Sequence, residues 1–549
     1  MNKICKMCDK EFEIRDADLV FYKQMGTVPP LDCPDCRMAR RLVFRNERTL
    51  YKRPCNLCKK DMITVYSPKS DFKVYCHDCW WSDNWDPKSF AIDYDLNKTF
   101  FEQYKELQKK VPRQSMAAVN NVRSDYTNGS AENKDCYLIF AADYNEDCLY
   151  GRLLQRDKMC VDCAFLHESE LCYECLDSRN CFKCMFCEQC QSSSDLLFCY
   201  NMRGSSNCIF CTNGRHLSNA ILNIKYDSKE EFEKKKAEIL SSYENIEKAK
   251  KEFAVLKSKT IVKYASQTKC NDVTGDYLYN CHQGVCLYDT YDAKNCSYMT
   301  DAESPIDSQD CNNYYYKPQF GYNVMGVLEG SRLKNSAFVF YCSDVEYCEN
   351  CHHLISGIGC SAIRKGEYVI LNKQYLKKDY FKLKGKIEEQ LKKEGAYGQF
   401  FPPDLAPFAY NETLAHDFFP LIKEEALKRG FSWQEQTTGT YGKETIKKIP
   451  NSINDVGENI LKDILVCEEC NKNFRITEAE LSFYKRMGLP IPHKDFECRH
   501  RDRMSKRNPR KLWHRKCMKE NCKNEFKTSY APNRPEIIYC ENCYNQEIY

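Results

Sequence analysis

Residues 136–187 read CYLIFAADYNEDCLYGRLLQRDKMCVDCAFLHESELCYECLDSRNCFKCMFC, and their spacing decides what fold the middle of the chain can take. Cysteine returns every twelve residues at Cys136, Cys148, Cys160, Cys172, Cys184 and Cys208, with Leu196 on the missing rung. A second column lies three residues on, at Cys163, Cys175, Cys187, Cys199 and Cys211. The residue after the first column is always apolar: Tyr137, Leu149, Val161, Tyr173, Met185, Leu197 and Ile209. Three residues before that column stand Asn133, Asn145, Asp157, Ser169, Cys181, Ser193 and Ser205, mostly turn formers. A unit of turn, short strand and cysteine at fixed length predicts a β-rich solenoid, with equivalent side chains stacked about 4.8 Å apart. Three fates are open to the thiols. They can pack as small buried hydrophobes. They can bind metal through the CxxC pairs Cys160/Cys163, Cys172/Cys175, Cys184/Cys187 and Cys208/Cys211. They can bridge adjacent rungs, which a reducing compartment disfavours.

Outward from this ladder the pattern weakens. Ile221-Leu222-Asn223, Tyr226, Lys229 and Phe232 return 149 residues later as Ile370-Leu371-Asn372, Tyr375, Lys378 and Phe381. Between them Cys270, Cys281, Cys286, Cys296, Cys311, Cys342, Cys348, Cys351 and Cys360 are irregularly spaced, which predicts a degenerate second repeat. Charged amphipathic stretches over 227–262 and 376–396 predict bracing helices, and TFFEQYKELQKKV predicts one before the first repeat. Pro402, Pro403 and Pro407 exclude a regular element after Phe400, where an aromatic strap should lie over the core.

Both ends carry a different cysteine pattern. Cys5-x-x-Cys8 is answered by Cys33-x-x-Cys36, and Cys55-x-x-Cys58 by Cys76-x-x-Cys79. Two knuckles of this kind bring four sulfurs to one tetrahedral ion at about 2.3 Å. The last lobe repeats the first at an offset of 462: Cys467 and Cys470, then Phe483-Tyr484-Lys485, Arg510, Arg515 and Cys517. Cys517 and Cys522 are answered by Cys540 and Cys543. The remaining site holds Cys467, Cys470 and Cys498, with His500 expected as fourth ligand and His493 and Asp502 as rivals. About four zinc ions are therefore expected.

The knuckles are joined by basic segments. CRMARRLVFRNERTLYKRPC carries Arg37, Arg40, Arg41, Arg45, Arg48 and Arg53 against the single acid Glu47. CRHRDRMSKRNPRKLWHRKC carries Arg503, Arg507, Arg510 and Arg515 among its cations. Arginine interleaved with Phe44, Tyr51 and Trp513 suits phosphate contact and base stacking, so nucleic acid, RNA before duplex DNA, is the expected partner. A protein-interaction scaffold is the alternative.

Composition sets the outer limits. With 549 residues, several domains are expected: lobes at 1–82 and 463–549, a helical linker at 83–118, repeats at 119–226 and 263–375, helices at 227–262 and 376–396, and a strap region at 397–462. The 13% aromatic content supplies cores, while a net charge of +4 excludes a simple polycation. The charged start, MNKICKMCDKEF, lacks an apolar signal region, and no run is long enough to span a membrane, so a cytoplasmic protein is expected. No nucleotide-loop, HExxH or GxSxG motif marks an enzyme.

CKMCDKEF…FYKQMG…CPDCR, and CEECNKNF…FYKRMG in the last lobe, resemble the small domain family called "probable zinc-ribbon". The longer run through YCHDCWW, the ladder, ILNKQY and FFPPDLAPFAYNET resembles large hypothetical proteins of candidate-phylum bacteria. The resemblance implies zinc at Cys5, Cys8, Cys33, Cys36, Cys467, Cys470 and Cys498, and it implies no activity.

Overall fold

In a computed structural model, residues 1–226, 228–300, 306–315, 321–328, 330, 332–435 and 439–549 are described. The expected helix boundary at Asp227 lies outside them.

The ladder region is built from left-handed corners. Every third residue from Glu132 to Leu222 has φ between +48° and +61°, and all but Gly204 carry a side chain there. Each corner turns the chain, and parallel bridges join residue i to i+12, as at Tyr137↔Leu149, Leu149↔Val161 and Val161↔Tyr173. Four three-residue sides thus close one coil of twelve. The ladder bonds that offset the strained corners are regular: the Tyr137 amide donates to Cys148 O at 3.0 Å, and the Tyr150 amide donates to Tyr137 O at 2.9 Å.

The residue after each corner points inward, so one side chain per face fills the coil. Asn133, Cys136, Ile139 and Ala142 fill one such layer, and Cys181, Cys184, Cys187 and Cys190 fill another. The ladder thiols spend their protons on backbone carbonyls. Cys148 Sγ lies 3.4 Å from Glu146 O and 3.4 Å from Asp157 O, and Cys175 Sγ lies 3.2 Å from Cys184 O. They behave as small packed groups with a weak donor satisfied.

The second repeat is more regular than its cysteines suggest. Its bridges also run at twelve, from His282↔Lys294 to Glu349↔Ser361. Register slips at Val273/Gly275, and one coil has thirteen residues, where Asn312 pairs with Met325. Val324, Val327, Val339, Val345, Leu354 and Ile363 share its interior with Cys311, Cys342, Cys348 and Cys351, so the core survives while the cysteine rhythm is lost.

Helices brace both stacks. Phe100–Lys110 starts on a Thr99/Glu102 capping box. The long charged stretch breaks into Lys229–Leu240 and Tyr243–Ser258, because Ser242 caps the second helix by accepting from the Asn245 amide. Phe232, Ile246 and Phe253 pack with the outward Leu149, Val161, Met185 and Leu197 of the first stack. Lys377–Lys393 buries Tyr380, Ile387 and Leu391 beside the second. The strap follows: Phe401 stacks on Tyr104 at 5.3 Å, and Phe400 meets Phe44 edge-on at 5.5 Å. No helix among the described residues is long and apolar enough to cross a membrane.

Each lobe docks on the stack remote from it in sequence. The first lobe reaches the second stack through Arg37 and Asp310, and the last lobe reaches the first stack through Arg503 and Asp162. These two contacts cross the chain, while Glu47 of the first lobe also meets Arg152 of the first stack and Arg510 of the last lobe also meets Asp289 of the second.

Candidate metal centres

Each lobe contains two knuckle pairs built in the same way. A short hairpin supplies the first two cysteines, and the N-terminus of a following helix supplies the others. Cys33, Cys76 and Cys540 each precede a helix, at Pro34–Leu42, His77–Trp81 and Glu541–Ile548. Their amides point at the first thiol of the set. Cys33 N lies 3.3 Å from Cys5 Sγ, Cys76 N 3.3 Å from Cys55 Sγ, and Cys540 N 3.2 Å from Cys517 Sγ. Such donors favour thiolate. Burial opposes ionisation of Cys55, but the backbone amides of Cys76, Cys58 and Leu57 hold its thiol down to about 7.

Among the described residues, four groups could hold a metal: Cys5, Cys8, Cys33 and Cys36; Cys55, Cys58, Cys76 and Cys79; Cys517, Cys522, Cys540 and Cys543; and Cys467, Cys470, Asp495 and Cys498. Their ligand atoms lie within 4.8 Å of one another in every set. The sulfur edges test the fit. Cys8–Cys33, Cys58–Cys76 and Cys522–Cys540 are separated by 3.9, 3.8 and 3.9 Å. A tetrahedron with Zn–S bonds near 2.3 Å has an edge of about 3.8 Å, so all three fit zinc. Zinc held by these cysteines would supply a structural cross-link between hairpin and helix.

No protein-family model matches the chain, and no curated protein matches it.

The fourth site corrects the sequence expectation. Asp495, not His500, stands with the three thiols, its Oδ2 2.8 Å from Cys470 Sγ. The same residue caps the helix Phe496–Ser505, its Oδ1 accepting from the amides of Glu497 and Cys498. Asp495 lies 462 residues after Cys33, and Cys498 the same distance after Cys36. Extending the constant offset across this knuckle would have found it. His500 corresponds to the buried Met38 and is itself buried, with Nε2 against the Arg48 guanidinium. The rivals are engaged elsewhere: His493 stacks on Tyr243 at 3.7 Å, and Asp502 pairs with Lys494 at 2.9 Å. Asp495→Ala is expected to lower bound zinc by about one ion, while His500→Ala leaves the metal count unchanged. Elemental analysis of the two proteins decides between the ligands.

The arginines of the basic segments turn inward. Arg37 and Arg41 converge on Asp310 at 2.8 and 3.4 Å, and Arg41 also donates to Asn312 and Asn323 at 2.6 Å each. Arg40 pairs with Asp32 at 2.8 Å, and Arg45 with Glu47 at 2.5 Å, while Arg152 of the first stack meets the other Glu47 oxygen at 2.8 Å. The last lobe repeats the device. Arg499 and Arg503 converge on Asp162 at 3.3 and 2.7 Å. Arg507 spans Asp177 at 2.9 Å and Asp289 at 2.5 Å, joining the two stacks, and Arg510 meets Asp289 at 2.7 Å.

The equivalence extends to neutral partners. Tyr298 and Gln309 donate to Asp18, as Tyr150 donates to Glu480, its counterpart in the last lobe. Asp162 and Tyr150 stand 148 residues before Asp310 and Tyr298. Beyond the thirteen-residue coil the offset becomes 149: Tyr22 packs on Tyr322 and Tyr484 on Tyr173.

The expectation that Arg37, Arg40, Arg41, Arg45, Arg503, Arg507 and Arg510 face phosphate is therefore corrected. These side chains are buried, and their forks are committed to carboxylates and carbonyls. Arg48 is partly exposed but pairs with Asp417 at 3.2 Å and Glu497 at 3.6 Å, tying the lobes together. Arg53 and Arg515 brace loops, donating to Ser67 O at 3.1 Å and Ala531 O at 3.0 Å.

Proposed function

We propose that this chain is a zinc-stapled, non-catalytic nucleic-acid-binding protein, with RNA as the favoured ligand. In this reading its lobes are clamps, and its coil stacks are solenoids that carry the recognition surface. The observation that supports it is where cationic charge is left over. Arg37, Arg41, Arg503, Arg507 and Arg510 are taken up by carboxylates of the stacks, and Arg40, Arg45 and Arg48 by carboxylates outside them, whereas Arg156, Arg179 and Arg203 of the first stack take no carboxylate partner among the described residues. Reduced thiolate sites suit a cytoplasmic setting.

The test is a salt titration of labelled single-stranded RNA with freshly reduced, zinc-loaded protein. Elemental analysis of the same material should give about four zinc ions per chain. Binding should be present at low salt and should weaken steadily as salt rises. No binding at low salt would overturn this reading in favour of a protein-interaction scaffold.

A further inference from the structure

Between the two stacks runs a groove whose walls are columns of equivalent residues. One wall is an outward column of the first stack: Gln155, His167, Arg179, Gln191 and Arg203 pair in succession along the parallel ladder. The other wall carries Tyr279 and Tyr291, paired on successive coils of the second stack. Four rises of about 4.8 Å make the first wall about 19 Å long.

The cations of this groove are held by rings and carbonyls. The Arg179 guanidinium sits 4.7 Å from the Tyr279 ring centre and 5.6 Å from that of Tyr291. Arg203 donates to the carbonyls of Gln189 and Met202. Arg156 lies exposed at one mouth, over Tyr144 at 5.5 Å. Of the acids nearby, Asp177 and Asp289 are neutralised together by Arg507 and Arg510. Asp292 accepts from Asn280 at 2.5 Å, and Glu168 is exposed at the rim. Burial first, then the charges of Arg179 and Arg156, push the His167 imidazole down to about 3.

An anion is the ligand that Arg156, Arg179 and Arg203, held on rings and carbonyls, are placed to meet. Flat tyrosine faces beside guanidinium groups narrow the choice, because bases stack on aromatic rings while phosphates meet arginine. Carboxylates of an acidic peptide would use the cations and leave the rings without a role. We propose that the inter-stack groove binds single-stranded nucleic acid, with phosphates on Arg156, Arg179 and Arg203 and a base against Tyr279 or Tyr291.

The proposal rests on the nucleic-acid reading above and names its surface. The experiment measures anisotropy of labelled oligouridylate and oligodeoxythymidylate of about ten nucleotides with the full-length, zinc-loaded chain. Arg179→Glu and Arg203→Glu should each weaken binding about tenfold or more and flatten the salt dependence. Tyr291→Ala should weaken it about fivefold or more, while Tyr291→Phe binds like the parent. Arg179→Lys keeps the charge and should retain most of the affinity. Arg123→Glu, at a surface ion pair with Asp135 away from the groove, serves as the control, with zinc content and melting midpoint confirming that each variant is folded. Tighter binding of the RNA strand assigns part of the affinity to the 2′-hydroxyl, and equal binding assigns it to features both strands share. Groove variants that bind like the parent would overturn the proposal while leaving nucleic-acid binding intact, and a parent that binds neither strand removes both. Inorganic polyphosphate competing as well as the oligonucleotides would also overturn it, because the rings would then contribute nothing.

Discussion

Replacing Arg503 with methionine is expected to destabilise the clamp of the last lobe by about 3–5 kcal/mol. The arginine is 1% exposed, its Nη1 lies 2.7 Å from Asp162 Oδ1, and Nη2 donates to Tyr150 O at 3.2 Å. Asp162 is itself fully buried. Without Arg503 it keeps only Arg499, at 3.3 Å, and the tyrosine carbonyl loses its donor. A buried pair is not strongly stabilising against an apolar replacement of both partners, but a buried charge left half-compensated is costly. The doubly substituted Arg503→Met/Asp162→Asn protein should therefore recover much of the loss, and the double-mutant cycle measures the coupling directly. Arg41→Met should act in the same direction at Asp310 on the other stack, whereas Arg123→Ala, at a surface pair, should leave the melting midpoint unchanged. An Arg503→Met protein that melts like the parent would show that the lobe is held by its apolar contacts alone.

The same arrangement fixes a direction with pH. Burial alone would raise the Asp289 carboxyl, but Arg507 and Arg510 outweigh it and hold the group down to about 2. Its folded value lies below the unfolded one near 3.9. The stability it contributes is therefore fully present above about pH 4 and is lost as pH falls through about 2. Acid titration of the melting midpoint, compared between the parent and Asp289→Asn, reads this contribution.

How far these features could be read from the sequence depends on how local their signals are. The period of twelve at Cys136, Cys148 and Cys160 is the backbone offset at which Tyr137, Leu149 and Val161 pair. Those apolar neighbours form the outer face that meets the bracing helices and the last lobe. The inward period of three was hidden because the four columns tolerate different residues, so Asn133, Cys136, Ile139 and Ala142 do not look like one layer. The second stack escaped for a related reason. Valine and leucine fill a narrow interior as well as cysteine does, and two register irregularities break any fixed count. The arginines misled because composition shows a cation and conceals its partner. Asp310 lies 273 residues from Arg37, and Asp162 lies 341 residues from Arg503, each on a coil with no local mark of its role. The place of Asp495 beside the three thiols was legible in principle, because the offset of 462 leads to it from Cys33.

Graded chelation is expected to remove the ions in order, beginning with the site of Cys467, Cys470, Asp495 and Cys498. Three thiolates and one carboxylate hold a borderline-soft ion less firmly than four thiolates. Asp495 is also shared, since its other oxygen caps a helix. Loss of this ion frees the helix Phe496–Ser505, which carries Arg499 and Arg503. The consequence reaches beyond the lobe, because Asp162 then loses both of its cations. The apolar face of Tyr150, Tyr173 and Val161 loses the cover of Phe483, Tyr484 and Leu489. Structural zinc contributes about 10–16 kcal/mol in small finger peptides, far more than any single ion pair, so metal loss should exceed every arginine substitution in effect. Native mass spectrometry during chelation should show a three-zinc species before full release, with hydrogen exchange rising first across 496–505. Asp495→Cys should abolish that early step by completing an all-thiolate set. Simultaneous loss of all the ions, or first loss from Cys55, Cys58, Cys76 and Cys79, would show that ligand identity does not set the order and that the lobes release metal only by unfolding as a whole.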